Sequence, residues 1–73
     1  MKFKIGDHVR ILSDYPFDRM LQGATGNIVE LPNAQHLDEY IVRLDGGITR
    51  SLYLKDKPIP VSGNWLKLEL NTH

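Results

Sequence analysis

The chain contains no cysteine. That excludes the disulfide scaffolds and thiolate metal centres which often staple very small domains, and it fits a reducing, cytoplasmic setting. No charge of one sign is in excess: nine Lys and Arg residues balance nine Asp and Glu. A dedicated nucleic-acid binder normally carries surplus positive charge, because phosphate neutralisation supplies most of its affinity. Neutrality lowers that reading, although a basic face can sit inside a zero sum. Long apolar runs are missing as well. Nothing approaches the roughly 20 apolar residues of a membrane-spanning helix, and Lys2 and Lys4 lead into an alternating pattern, not into the apolar stretch of a signal peptide.

What is present is alternation. Seventy-three residues make one domain near the lower size limit for a self-sustaining core; the reading is a single unit over residues 1–70 with a polar tail at 71–73. KFKIG alternates, placing Phe3 and Ile5 on one side; Gly6-Asp7 bends the chain, and residues 8–12 resume with Val9 and Ile11 inward. Residues 25–31 form the next extended stretch, where the adjacent Ile28 and Val29 divide between the core and one end. EYIVRLD is the strongest strand, with Tyr40, Val42 and Leu44 on one face. Asp45-Gly46-Gly47 offers the positive-φ residues of a tight hairpin. Residues 48–54 return with Ile48, Arg50, Leu52 and Leu54 on one side; KDKPIPVSGN reads as a loop stiffened by two prolines; NWLKLEL closes with Leu66, Leu68 and Leu70 against Trp65, Lys67 and Glu69. Five or six short strands without substantial helix predict an all-β, small, closed or nearly closed antiparallel barrel. Its expected core is Val9, Ile11, Ile28, Tyr40, Val42, Leu44, Leu52, Leu66 and Leu68.

The succession IGDHVRIL, PF, GATGNIV and YIVRLDGG resembles the SH3-like barrels. Gly6-Asp7-His8-Val9-Arg10-Ile11, Pro16-Phe17 and Gly23-Ala24-Thr25-Gly26-Asn27-Ile28 are similar to the KOW modules of ribosomal proteins and transcription elongation factors. The V-R-I strand, the aromatic-containing first loop and the leucine-rich last strand are similar to the photosynthetic accessory barrels: subunit IV of the photosystem I reaction centre, the variable chain of ferredoxin–thioredoxin reductase, and subunit S of the photosynthetic NAD(P)H dehydrogenase-like complex. The first resemblance implies nucleic-acid or ribonucleoprotein contact, and the second implies a docking subunit. The chain departs from both: five residues separate Phe17 from Gly23, and DKPIPVSG lengthens the final loop. Gly23 and Gly26 flank a strand entry, where a Cβ would obstruct a bend or a close backbone crossing; Asp7 can accept the backbone N–H groups of a turn.

The first loop, SDYPFDRMLQG (residues 13–23), carries more apolar surface than a strand connection needs. Its expected inner half, Phe17 and Leu21, plugs the barrel, and its outer half, Tyr15, Arg19 and Met20, faces a protein partner; Tyr and Arg are enriched at interface hot spots. Trp65 and Tyr53, both out of phase with their core faces, complete that surface as an aromatic patch. Arg10, Arg43 and Arg50 are the candidates for the alternative, a nucleic-acid contact. Enzymatic chemistry has little support. Ser13, Ser51 and Ser62 lack a nucleophile motif, and His36, Asp38 and Glu39 form a polar loop without a second histidine at ligand spacing. Gly46-Gly47-Ile48-Thr49 lacks the lysine and helix of a phosphate loop. No catalytic residue, metal ligand or cofactor is expected. The sequence therefore predicts a non-enzymatic docking or accessory module for a protein partner.

Overall fold

The computed structural model describes residues 2–45 and 58–69. Five antiparallel strands, β1 (His8–Ile11), β2 (Thr25–Glu30), β3 (Glu39–Leu44), β4 (Ile59–Ser62) and β5 (Leu66–Leu68), form one sheet in the order β4-β3-β2-β1-β5. The helical pieces among the described residues are two single 3-10 turns, η1 (Arg19–Leu21) within the first loop and η2 (Gly63–Trp65) between β4 and β5. The chain is thus all-β, and among the described residues no helix is long and apolar enough to cross a membrane.

Alternation sets the strands as expected in β1 and β3, where Val9, Ile11, Tyr40, Val42 and Leu44 point inward. In β2 the register shifts: Ile28 pairs with Val42, but Glu30 pairs with Ile41. Val29 is the extra residue of a bulge, which bends the strand and accommodates two adjacent β-branched residues. Ile28 is buried and Val29 half-buried. Close packing between β2 and β3 depends on Gly26, where a Cβ would sit 2.9 Å from Val42 Cγ1 and against the Arg43 carbonyl. At the other end of β1 the chain turns through Gly6, at φ +94°. The Asp7 carboxylate accepts from the Lys4 N–H at 3.0 Å, and the Asp7 N–H donates to the Lys4 carbonyl at 3.0 Å.

Three strand-level expectations are corrected. KFKIG is not a strand. Ile5 is the second residue of the Lys4–Asp7 turn and is exposed, whereas Phe3 is buried edge-on against Tyr40, with ring centroids 5.3 Å apart. The Tyr40 hydroxyl accepts from the N–H groups of Lys2 and Phe3 at 3.1 and 3.3 Å, so this segment covers one end of the core. Second, β4 lies inside the stretch read as a proline-stiffened loop. Ile59 and Val61 point inward and alternate with Pro60 and Ser62. Residues Glu39, Tyr40, Ile41 and Val42 pair with Ser62, Val61, Pro60 and Ile59, and Gly63 N–H donates to Asp38 O at 2.9 Å. In that phase the Pro60 nitrogen faces away from β3, so the missing N–H interrupts no ladder bond. Along Glu39–Val42 the partner of β3 on this side is therefore β4. Gly46, Gly47 and residues 48–54, with Arg50, Leu52 and Tyr53, lie outside the described residues.

The third correction is Leu68, expected inside but 48 % exposed. It pairs with Val9, yet β5 ends the sheet order, so no further strand among the described residues covers it from that side. The remaining described members of the expected core are buried, joined by Phe3, Tyr15, Leu21, Ala24, Ile59 and Val61.

Gly26→Ala is expected to lower the unfolding free energy by about 1–3 kcal/mol, the usual cost of overpacking a closed site. Urea titration reads this, and an unchanged midpoint would mean that β2 and β3 separate easily.

Candidate functional site

The first loop leaves and re-enters the sheet at one place. Ile11 N–H donates to Ala24 O at 2.7 Å, and Gly23 N–H donates to Ile11 O at 2.9 Å, closing the base of the loop. Gly23 turns the chain back at φ +75°. Inside the loop Asp18 caps η1: its carboxylate accepts from Met20 N–H at 2.8 Å, and its carbonyl accepts from Leu21 N–H at 3.1 Å. The first satisfies a donor that a helical turn otherwise leaves open, and the second is the turn's own hydrogen bond. The Gln22 side-chain amide donates to Tyr15 O at 2.8 Å across the loop. The segment is thereby a folded lobe with its own hydrogen bonds.

Its apolar side chains are distributed differently from the sequence-based expectation. Leu21 is buried as predicted, but Tyr15 and Phe17 exchange roles: Tyr15 is 7 % exposed, and Phe17 is 75 % exposed. A loop has no periodic phase to fix which ring enters, and here the packing of η2 decides. Tyr15 lies against Trp65, with ring centroids 6.1 Å apart at 78°, and Phe17 contacts both, at 5.4 Å and 71° from Tyr15 and at 6.5 Å and 89° from Trp65. These are edge-to-face contacts, each contributing roughly 0.5–1.5 kcal/mol beyond area burial. Trp65 is half-buried against the core and sits in η2, not in the last strand. The turn is held by Ser62, whose hydroxyl accepts from Asn64 N–H at 3.3 Å and donates to Asp38 Oδ2 at 3.0 Å. Met20 is 45 % exposed, and Arg19 is exposed beside it. The structure thus brings together Tyr15, Phe17 and Trp65, with Tyr15 as the anchor and Phe17 as the exposed tip, and it leaves Arg19 and Met20 exposed on the same loop. Tyr53 lies outside the described residues.

Burial, then the negative charges of Asp18 and Glu39, push the Tyr15 phenol above its ordinary pKa. Arg10 and Arg43 stand on strands, not on the loop. Arg10 makes a bidentate pair with Glu69, Nε to Oε1 at 2.9 Å and NH2 to Oε2 at 2.6 Å, and donates from NH1 to the Gly23 carbonyl at 2.7 Å. The pair raises the Arg10 pKa and lowers that of Glu69. It also fastens β1 to the β5 end and to the base of the first loop. Arg43 is exposed on β3 in the cross-strand row of Asn27 and His8, whereas Arg10 stands in the row of Thr25. The two do not form an adjacent pair, and Arg50 lies outside the described residues.

A second polar group joins β1, β2 and the end of β3. Asp45 Oδ2 accepts from the Thr25 hydroxyl and lies 3.0 Å from His8 Nε2. Hydrogen bonds from Thr25 and then His8 hold the Asp45 carboxyl below its ordinary pKa. Both bonds end on the carboxylate, so the imidazole is not positioned between Thr25 and Asp45 as a relay would require. This group clamps three strands. In the polar loop, His36 Nδ1 is 3.4 Å from Glu39 Oε1, and Asp38, at φ +62°, bonds Ser62. His36, Asp38 and Glu39 are thus local braces. No protein-family model, curated protein or solved structure matches the chain.

Two outcomes follow from the exchanged rings and from the clamp. Tyr15→Ala is expected to cost about 3–5 kcal/mol of stability, and Phe17→Ala less, about 1–3 kcal/mol for the two ring contacts it loses; denaturant unfolding followed through the fluorescence of Trp65, the single tryptophan, separates them. Because folding lowers the Asp45 pKa, its contribution is present above the unfolded value and is lost as pH falls through the folded value. Thr25→Val should raise the Asp45 titration seen by carboxyl-resolved NMR and flatten the acid side of the stability curve. An unmoved Asp45 titration would show that the hydroxyl does not hold it.

Proposed function

We propose that the protein is a non-enzymatic docking or accessory module that binds a protein partner through the lip of its first loop and η2. The observation that carries this reading is Phe17: a large apolar ring, 75 % exposed, held in position by Tyr15 and Trp65. A side chain fixed before contact loses less freedom on binding than a mobile one. Trp65 adds a half-buried ring to the same cluster, and Met20 and Arg19 are exposed on the same loop, a mixture of residue types favoured at interface hot spots. Tyr15 belongs to the site as its support, not as its contact surface.

The alternative, a KOW-like phosphate contact, draws less support. Arg10 would have to leave Glu69 and the Gly23 carbonyl to meet a phosphate. A complex formed that way would weaken steeply with salt.

A photo-crosslinking side chain in place of Met20, introduced into the full chain in its source cells, tests the reading. A discrete protein adduct is expected from that position, none from the same side chain in place of Asn27 on the outer face of β2, and loss of the adduct in the Phe17→Ser background. Nucleic-acid adducts, or equal adducts at both positions, would overturn it.

A further inference from the structure

We infer that the lip recognises a cationic side chain, arginine above all, presented by an extended segment of the partner, with the cation lying on the outer face of the Phe17–Trp65 pair between acidic residues. This deepens the docking reading and rests on it. Three aromatic rings meeting nearly at right angles suggest at first a cage for a methylated ammonium. The distances decide against one. Centroid separations of 5.4, 6.1 and 6.5 Å are those of rings in mutual contact, and Tyr15 is buried. No room remains between them for a cation, so any cation must stack from outside, where a flat guanidinium makes better contact than a bulky ammonium.

The charges around the pair supply the complementarity. Asp14 is exposed and Asp18 half-buried on the loop that presents Phe17. On the other side, Asp38 accepts from Ser62 Oγ at 3.0 Å, and Glu39 pairs with Ser62 across the ladder, so both residues attach to the turn that carries Trp65. Asp18 and Glu39 both act on the phenol of Tyr15, directly beneath the pair. Among the described residues of the loop and of the segments bonded to η2, the cations are Arg19 and Lys2, whose Nζ lies 3.4 Å from the Gly63 carbonyl; His36 is engaged with Glu39. The carboxylates outnumber Arg19 and Lys2, and the π faces add to the same potential. An acidic partner segment meets the wrong sign here, and a neutral apolar one leaves the carboxylates to be desolvated without a partner.

The test uses capped octapeptides of Gly, Ser and Ala with one central arginine, citrulline, lysine, trimethyl-lysine or glutamate. Each is titrated into the full chain while the Trp65 indole N–H is followed by NMR. The arginine peptide should shift that resonance in a saturable way. Citrulline, its neutral isostere, should bind about fivefold more weakly, the loss of one exposed cation–π contact; trimethyl-lysine should be no tighter than lysine, and glutamate the weakest. Asp18→Asn together with Glu39→Gln should weaken the arginine peptide at least about twofold with unchanged thermal unfolding, because an asparagine side chain still caps η1. Phe17→Ala should abolish the shift. Equal binding of citrulline and arginine, tighter binding of glutamate, or no Trp65 shift with any peptide would overturn the inference. The docking reading would still be judged separately by the position-dependent adducts.

Discussion

The ring of Tyr15, enclosed between the core and Trp65, is the contact on which the arrangement of the lip depends. It joins an excursion from the middle of the sheet to the turn that links its last two strands. Those segments are far apart in sequence, and beside the ring contact one backbone bond, Leu12 N–H to Trp65 O at 2.9 Å, joins their bases. Once Tyr15 is seated, the loop cannot lie flat, η2 cannot swing outward, and Phe17 is left with solvent on one side and two rings on the other. The loop's own bonds, Asp18 to η1 and Gln22 to Tyr15 O, then fix a shape that a free segment of this length would not keep. Exposure at the tip and burial at the anchor are two sides of the same packing decision.

The outer face of the sheet shows a similar economy. Arg10 could serve a ligand on sequence grounds, but its guanidinium is used inside the molecule, joining β1, the β5 end and the loop base through Glu69 and the Gly23 carbonyl. The pair is exposed enough that its value lies in geometry more than in raw electrostatic stabilisation. His8, Thr25 and Asp45 perform the corresponding task further along the same strands. Polar groups thus compensate for the absence of any covalent staple, while the exposed ring of Phe17 stands at the lip.

Much of the fold was legible because alternation is a local record of which face is covered. β1, β2 and β3, the turn at Gly6-Asp7 and the close approach at Gly26 all follow from residue type and spacing. β4 was hidden for a definite reason. Ile59 and Val61 alternate properly, but the residues between and before them are prolines, which signal a break unless one knows which edge the nitrogen faces. The candidate site was half legible. Apolar excess singled out the first loop in the sequence, while the choice between Tyr15 and Phe17 depended on Trp65, a residue distant in sequence whose own placement in η2 broke the strand phase assumed for it. The amphipathic phenol is also better suited to support than a bare ring, since its polar end can reach the rim.

The position of Pro60 has a consequence for the behaviour of the protein in concentrated solution. A short strand at the border of an antiparallel sheet offers its outward amide groups as a template on which another chain can polymerise. Among the described residues β4 ends the sheet, and Pro60 lies opposite Ile41 with its ring nitrogen on that outward side, so the donor an incoming chain would need there does not exist. The same residue that concealed β4 from pattern reading protects it from self-association, with no loss of pairing to β3.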